Sequence, residues 1–137
     1  MDRKIDIHKA GGILIKDRKF LVTKSKNRPF MAPGGKLAEG ETPEGALKRE
    51  LNEELGIVIE LSDLEKFETF YAPAARQEEK YLQMDVFFVH RWDGAVQANS
   101  EIEEIMWIDS SVPAEVSLGS IFEHEVLPRL KQANLID

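Results

Sequence analysis

Three glutamates on one predicted helix are the residues best suited to chemistry in this chain. Glu50, Glu53 and Glu54 are spaced at i, i+3 and i+4, which places their side chains on one connected arc. Arg49 can reach Glu53 one turn on, but a single guanidinium leaves a surplus of negative charge. Hard divalent cations such as Mg²⁺ and Mn²⁺ prefer carboxylate oxygens, so the spacing indicates a metal site. The alternative interpretation is a solvated acidic helix face.

The helix that carries these carboxylates has clear end signals. Thr42 is a favourable N-cap residue, and Pro43 follows at the first helical position, where a missing N–H costs nothing. Gly56 suits the left-handed conformation that often ends a helix. The sequence therefore predicts a helix over Pro43–Leu55. Its apolar stripe consists of Leu47, Leu51 and Leu55.

The loop before the helix, Ala32–Lys36, contains Pro33 followed by Gly34 and Gly35. Glycine allows backbone conformations closed to other residues, so this loop can approach a ligand or a metal closely. A plain tight turn is the alternative interpretation.

The segment Gly35–Ile57 reads GKLAEGETPEGALKRELNEELGI. It matches, without a mismatch, the pattern G-x5-E-x7-R-E-U-x-E-E-x-G-U, in which U is a bulky aliphatic residue. The chain thereby resembles the Nudix hydrolases of the MutT-like type. This resemblance implies an α/β/α sandwich, with a mixed β-sheet between helices and a loop–helix–loop metal site.

The resemblance also implies roles for individual residues. Glu41 and Arg49 would orient the metal ligands through ion pairs and hydrogen bonds. The implied cofactor is Mg²⁺, with Mn²⁺ as a substitute. The implied metal ligands are Gly34 through its carbonyl, Glu50, Glu53 and Glu54, the last two being the firmer pair.

A general base is needed as well, and in this family it is a glutamate of the helix or one on a distant loop. Glu101 and Glu104, ahead of a strand pattern, rank above Glu103 as distant candidates. An acidic approach to an exposed strand is the competing interpretation.

The implied reaction is hydrolysis of a nucleoside diphosphate linked to another group. The chain length is close to that of a bare Nudix domain, which favours a nucleoside triphosphate cut to a monophosphate and pyrophosphate. ADP-ribose, nucleotide sugars and dinucleoside polyphosphates remain alternatives. A hypothesis of another class is a non-catalytic nucleotide-binding Nudix module, against which the intact glutamates argue.

Substrate recognition is predicted from residue type alone. Aromatic rings would stack on a base, amides and carboxylates would meet a base edge, and cations would meet phosphates. For each residue, a place in the core or on the surface is the competing interpretation. Arg76 lies in the segment Pro73–Lys80, which the pattern predicts to be a lid-type loop. The candidates are Phe30, Lys36, Tyr71, Arg76, Gln83 and Asp85.

Composition limits the class of protein. The 137 residues carry a net charge of −7, which argues against a nucleic-acid polymer as partner but not against a nucleotide. The chain has no cysteine, so thiolate chemistry and disulfides are excluded. A charged N-terminus and the absence of a long apolar stretch predict no signal peptide and no membrane association. We expect one domain over residues 1–137, in the cytoplasm, as a monomer or homodimer.

Hydrophobic patterning predicts strands, one helix, more strands and a final helix, which suits a mixed sheet between helical layers. In the strand Tyr81–His90, one alternating face must be core, and the other combines aromatic, amide and carboxylate groups. Pro128 should kink or restart the last helix, and the three histidines have no ligand spacing. The remaining predicted strands are Ala10–Ile15, Phe20–Thr23, Ile57–Leu61, Lys66–Ala72 and Ile102–Ile108, and the last helix is Leu118–Gln132.

Overall fold

The structure, a computed structural model, describes residues 4–74 and 77–137, and for residues 77 and 78 the backbone alone. Its strands are β1 (Ile7–Ile13), β2 (Ile15–Lys16), β3 (Lys19–Ser25), β4 (Gly34–Lys36), β5 (Leu64–Ala74), β6 (Gln77–Val89) and β7 (Ile102–Ile108). Its helices are α1 (Pro43–Leu55), a short 3₁₀ helix (Leu61–Asp63), a π-helical segment (Phe122–Val126) and α2 (Leu127–Gln132).

Helix α1 begins and ends where the sequence predicts. The Thr42 hydroxyl accepts a hydrogen bond from the Gly45 N–H at 3.0 Å, which satisfies one of the free donors of the first turn. Gly56 ends the helix with φ of +71°, and its N–H donates to the Asn52 carbonyl. The predicted helix Pro43–Leu55 is therefore confirmed.

The strands form two sheets. One has the order β4-β1-β6-β5 and is mixed, because β1 runs parallel to β6 but antiparallel to β4. The other has the order β2-β3-β7 and is antiparallel. The Leu21 N–H donates to the Leu14 carbonyl at 3.0 Å, which joins the two sheets beside the turn between β2 and β3.

Apolar side chains cover both faces of this framework. Leu47, Leu51 and Leu55 of α1 are fully buried in a cluster with Phe87 and Val89 of β6. The alternate residues of β6 point to the other face of the sheet and belong to a second apolar cluster. The helix at the C-terminal end of the chain packs against this second cluster. That second cluster includes Leu82, Met84, Val86, Phe122, Val126 and Leu130. Helices thus lie on both sides of a mixed sheet, and the predicted α/β/α sandwich is confirmed.

Two sequence predictions between α1 and β6 are wrong. Ile57 and Ile59 are buried as a strand would bury them, but only Val58 forms a bridge, to Asp93, so the segment has no continuous partner. The predicted loop 73–80 is largely strand, because β5 extends to Ala74 and β6 begins at Gln77. Antiparallel pairing of the two long strands continues to this end of the sheet and replaces the expected loop.

Two element ends also differ from the prediction. Strand β1 begins at Ile7 rather than Ala10, since pairing with β6 and β4 holds a polar stretch in the sheet. The last helix begins at residue 120 rather than at Leu118, which instead bridges to Phe30. Its hydrogen bonding changes from π to α beside Pro128, as expected for a residue without an N–H. Among residues 4–74 and 77–137 we find no helix that could span a membrane.

Candidate active site

The glycine loop lies directly against β1 and α1. Gly34 has φ of +146°, and a Cβ added there would stand 2.0 Å from the Ala10 carbonyl oxygen. A Cβ on Gly35 would stand 2.7 Å from the carboxyl carbon of Glu50. Side chains are therefore excluded at both positions, because the backbone itself packs against the strand and the carboxylate.

Glu54 is a buried carboxylate on the side of α1 that faces the glycine loop. It is only 7% exposed, and its Oε1 accepts a hydrogen bond from the Gly34 N–H at 3.1 Å. Burial is the largest cause that raises the pKa of Glu54 to about 8, helped by the nearby charges of Glu50 and Glu101 and opposed by the Gly34 hydrogen bond. This carboxylate has like charges near it and no cationic side chain bonded to it in the described part of the chain.

Arg49 gathers the other carboxylates of the site. Its Nε and Nη2 each donate to Glu41 at 2.8 Å, and its Nη1 donates to Glu50 at 2.9 Å and to Glu53 at 3.2 Å. A further bond from Nη2 reaches the Lys36 carbonyl in the glycine loop. Bonds from Arg49, and then from the Ala38 N–H, lower the pKa of Glu41 to about 2. The guanidinium thus ties α1 to the loop on its N-terminal side.

The predicted arc of three glutamates is divided in the structure. Glu50 and Glu54 line a cavity of about 460 Å³ together with Gly34 and Gly35, whereas the Glu53 side chain is 53% exposed and turned to Arg49. No three acidic or histidine side chains of residues 4–74 and 79–137 form a ready metal cage. The positive charge of Arg49 offsets the negative charges of Glu41, Glu50 and Glu53.

The donor set of this cavity nevertheless suits a hard divalent cation. The Glu54 carboxylate, raised in pKa by burial and by like charges, is the kind of group that a cation would stabilise. Glu50 lies beside it, against the Gly35 backbone, and offers carboxylate oxygens to the same cavity. Two oxygen-bearing side chains and a closely packed loop therefore fit Mg²⁺ or Mn²⁺.

The two distant glutamates are placed differently. Glu101 lines the same cavity as Glu50 and Glu54, and its charge helps to raise the Glu54 pKa. Glu104 is exposed on β7 and does not line that cavity, while Glu103 is 3.6 Å from Lys24 in a salt bridge. The structure thus brings one of the predicted distant bases to the site.

A second cavity opens beside the first, on the sheet face opposite α1. It measures about 120 Å³, and its walls are mainly apolar, from β1, β5, β6 and the start of the last helix. Four residues line both cavities: Lys9, Arg28, Met31 and Lys36. An apolar compartment with a cationic border therefore adjoins the carboxylate compartment.

The predicted substrate residues are scattered. Lys36 lines both cavities, but Phe30 is a 5% exposed core residue. Leu82 and Met84 line the apolar cavity, so the alternation of β6 turns Gln83 and Asp85 to the opposite face. Tyr71, which faces Gln83 across the strand pair, is 54% exposed and stacks on Tyr81 outside the cavities. Arg76 lies outside the described residues.

Asp85 is held by the protein itself. It is 3% exposed and receives hydrogen bonds from Lys66 at 2.8 Å, Thr69 at 2.5 Å and Gln83 at 3.2 Å, and it bonds to His8. Burial acts to raise its pKa, but the bonds from His8, Lys66 and Thr69 hold the pKa of Asp85 at about 2. His8, which the sequence left without a role, is therefore a partner of this buried acid.

Apart from Lys36, the sequence-predicted site residues do not include those that line the apolar cavity. Met31, Met84 and Ile121 give no chemical signal, since core residues have the same composition. Lys9 was missed because the predicted strand began one residue later, although a charged residue beside an apolar run was visible. Pairing of Lys9 with Lys36 across β1 and β4 is the tertiary contact that brings it to the site.

The chain is similar in sequence to proteins of known family. The NUDIX domain model matches residues 6–129. An 8-oxo-dGTP diphosphatase of Haemophilus influenzae is 35% identical over 116 residues, covering 80% of this chain and 79% of that protein. An ADP-ribose pyrophosphatase of Methanocaldococcus jannaschii is 30% identical over 118 residues, covering 83% and 66%.

Solved structures show the same fold. The ORF135 protein of Escherichia coli superposes with a TM-score of 0.72 at 23% identity, over 96% of this chain and 94% of that one. A MutT protein of Methanosarcina mazei gives 0.72 at 20% identity, over 98% and 99%. Together with the matched glutamate pattern, these findings show that the chain belongs to the Nudix family and is a MutT-like hydrolase of phosphorus-containing anhydrides.

Proposed function

We propose that the chain is a Mg²⁺-dependent pyrophosphohydrolase that cuts a nucleoside triphosphate into a monophosphate and pyrophosphate. The observation that best supports this proposal is the pair of adjoining cavities, one lined by Glu50, Glu54 and Glu101 and the other mainly apolar. A planar base fits the apolar compartment, and the polyphosphate then extends into the carboxylate compartment. The proposal covers residues 1–137 as one domain, and it assigns the protein to the cytoplasm, where such nucleotides occur.

The residues of the carboxylate compartment have distinct proposed roles. Glu50, Glu54 and the Gly34 carbonyl would hold the cation, and Glu53 would join them if its bond to Arg49 were broken. The Gly34 N–H orients Glu54, and Arg49 with Glu41 keeps the loop against α1. Bound Mg²⁺ supplies neutralisation of phosphate charge and polarisation of the attacking water.

Glu101 is the proposed general base. A water oxygen bonds to one phosphorus of the anhydride, the bridging P–O bond breaks, and the Glu101 carboxylate accepts the proton of the water. Its place in the cavity with Glu50 and Glu54 supports this role over Glu104, which is exposed on β7.

ADP-ribose is the second candidate substrate. The observation that favours it is the relative from Methanocaldococcus jannaschii, named an ADP-ribose pyrophosphatase. Both candidates place a phosphoanhydride at the same carboxylates, so the two hypotheses differ only in the group attached to the second phosphate.

A substrate panel tests the proposal. Ordinary and oxidised nucleoside triphosphates, ADP-ribose, nucleotide sugars and dinucleoside polyphosphates are incubated with Mg²⁺ or with EDTA, and phosphate and pyrophosphate are both measured. We expect Mg²⁺-dependent release of pyrophosphate from a triphosphate. Cleavage of ADP-ribose alone would overturn the choice of substrate, and a folded protein that cleaves nothing would favour a binding module.

Glu53→Gln tests the metal assignment. We expect turnover to fall about 10- to 100-fold while the fold persists, because the lost charge weakens cation binding. Glu39→Gln is the control, since Glu39 is an exposed glutamate of the connection between β4 and α1 and lines neither cavity. Wild-type turnover by Glu53→Gln at saturating Mg²⁺ would remove Glu53 from the metal site.

A further inference from the structure

Three cationic side chains stand together without an ionic partner. Lys9, Arg28 and Lys36 form no salt bridge with any side chain in the described part of the chain, and their side chains form no hydrogen bond there. Some other cations are paired: Lys66 lies 2.8 Å from Asp85, and Arg129 lies 2.6 Å from Glu68. What distinguishes Lys9, Arg28 and Lys36 is their position, because all three line both cavities.

The three cations occupy the border between the two cavities. Lys9 and Lys36 are direct partners across β1 and β4, and Arg28 reaches the same border from the connection between β3 and β4. Lys9 is half-buried, whereas Arg28 and Lys36 are exposed. Like charges in one place repel, so an anion bound between the three cations would relieve their repulsion.

The chemistry of the apolar cavity points the same way. Among its described lining residues, the polar side chains are Lys9, Arg28, Lys36 and Ser120, so no carboxylate faces the cations from inside. Burial, followed by the charges of Arg28 and Lys36, lowers the pKa of Lys9, while Glu54 and Glu50 act in the opposite direction. The Lys9 ammonium is thus close enough to the carboxylate compartment to respond to it.

We propose that Lys9, Arg28 and Lys36 form an anion site that binds the phosphate joining the two cavities, with Lys9 as its central residue. The identification of that phosphate as part of a nucleotide rests on the proposed function, but the anion site does not. A tetrahedral phosphate can accept bonds from three separate donors, and Glu50 and Glu54 would hold the cation that neutralises the next phosphate. Lys9 thereby fixes how far the polyphosphate extends towards the carboxylates.

Binding of inorganic pyrophosphate in EDTA tests the site without catalysis. Titration calorimetry should show that Lys9→Met weakens pyrophosphate binding roughly tenfold or more, because a charge-assisted bond is lost. Lys9→Arg should restore most of the affinity. Lys16→Met, which removes an exposed lysine outside both cavities, should bind as the wild type does. Wild-type binding by Lys9→Met, or an equal loss in Lys16→Met, would overturn the proposal.

Arg28→Met is a second variant, chosen because the Arg28 side chain is exposed and forms no hydrogen bond or salt bridge in the described part of the chain. It should lose affinity for pyrophosphate in the same assay, and retained affinity would remove Arg28 from the site. With a substrate found by the panel, Lys9→Met should raise KM more than it lowers kcat, and an effect on kcat alone would contradict phosphate binding. If the wild type cleaves nothing, the proposed function fails, while the pyrophosphate titration still decides the anion site.

Discussion

Two buried carboxylates, Glu54 on α1 and Asp85 on β6, differ in how their charge is satisfied. Asp85 is 3% exposed and bonds to His8, Lys66, Thr69 and Gln83, so its pKa is held at about 2. Glu54 is 7% exposed and has one backbone N–H bonded to it, with like charges nearby, and its pKa is raised to about 8. The two carboxylates are buried to a similar extent, but Asp85 has His8 and Lys66 as partners, whereas Glu54 has like charges near it.

Under the function that we propose, this difference separates a structural acid, Asp85, from a functional one, Glu54. A buried charge that the protein neutralises with its own side chains leaves nothing for a ligand to do. A buried acid that lacks a cationic partner is stabilised when a cation binds. Relief of this unfavourable burial therefore contributes to the free energy of cation binding. The exposed fraction of a side chain does not distinguish the two kinds of acid, but the hydrogen-bond and charge partners of the carboxylate do.

The largest expected effect comes from Glu54→Gln. The substitution removes a carboxylate that we propose holds the cation, so we expect turnover to fall about 10²- to 10³-fold. Stability in EDTA should stay equal or rise, because the amide has no charge to bury. Steady-state kinetics and urea denaturation measure the two quantities. A large loss of stability with normal kcat would show that Glu54 is structural, as Asp85 is.

Asp85→Asn tests the other buried carboxylate, for which we expect a loss of stability rather than a loss of turnover. We expect it to lower the free energy of unfolding by about 1–3 kcal/mol, because Lys66 and His8 lose their charged acceptor. Turnover of the folded fraction should remain close to that of the wild type, since Asp85 faces away from the apolar cavity. Urea denaturation and an activity assay on the same sample give both values. A strong loss of kcat in a fully folded variant would place Asp85 in the active site.

The two acids also predict opposite dependence on pH in the metal-free protein. The pKa of Glu54 is raised from 4.5 to about 8, so the folded state binds its proton more tightly and loses stability as pH rises between these values. The pKa of Asp85 is lowered from 3.8 to about 2, so its contribution is present above pH 3.8 and is lost as pH falls through 2.

Wild-type stability in EDTA should therefore fall between about pH 5 and about pH 8 relative to Glu54→Gln, by on the order of 1–3 kcal/mol. Urea denaturation of both proteins at the two pH values measures the difference, and shared effects of other groups cancel. Saturating Mg²⁺ should abolish the difference in the wild type. Parallel pH profiles for the two proteins would contradict the raised pKa of Glu54.

The smallest expected effect is that of Lys66→Met. Lys66 is 47% exposed, so its bond to Asp85 is partly screened by water, and we expect a loss of about 0.2–1 kcal/mol. His8, Thr69 and Gln83 remain to satisfy Asp85. Urea denaturation measures the loss, with Lys16→Met as the control. A cost equal to that of Asp85→Asn would mean that Lys66 alone stabilises the buried acid.

Local signals explain which parts of this protein could be predicted. Helix α1 depends on Thr42, Pro43 and Gly56, which act through contacts within a few residues, and its ends were predicted correctly. The segment at Val58 failed because a strand needs a partner, and only a single bridge to Asp93 is available. The loop predicted between Pro73 and Lys80 failed because pairing between β5 and β6 overrides its polar composition.

The same limit applies to the site. Predicted face alternation in β6 was correct, yet it could not show which face holds a cavity. The structure assigns that face to Leu82 and Met84, and so it turns Gln83 and Asp85 away from it. Residue type had suggested the polar face, because polar groups are needed to recognise a base.

The sequence by itself determined the family, the reaction class and helix α1 with its acidic residues, since spacing along one helix places side chains without long-range information. Only the tertiary structure decided that Glu54 is buried without a cation while Asp85 is neutralised, and that Lys9 meets Lys36 at the border of two cavities. Burial and pairing between distant strands set these properties. They depend on which residues become neighbours after folding, and residue spacing along the chain does not encode that.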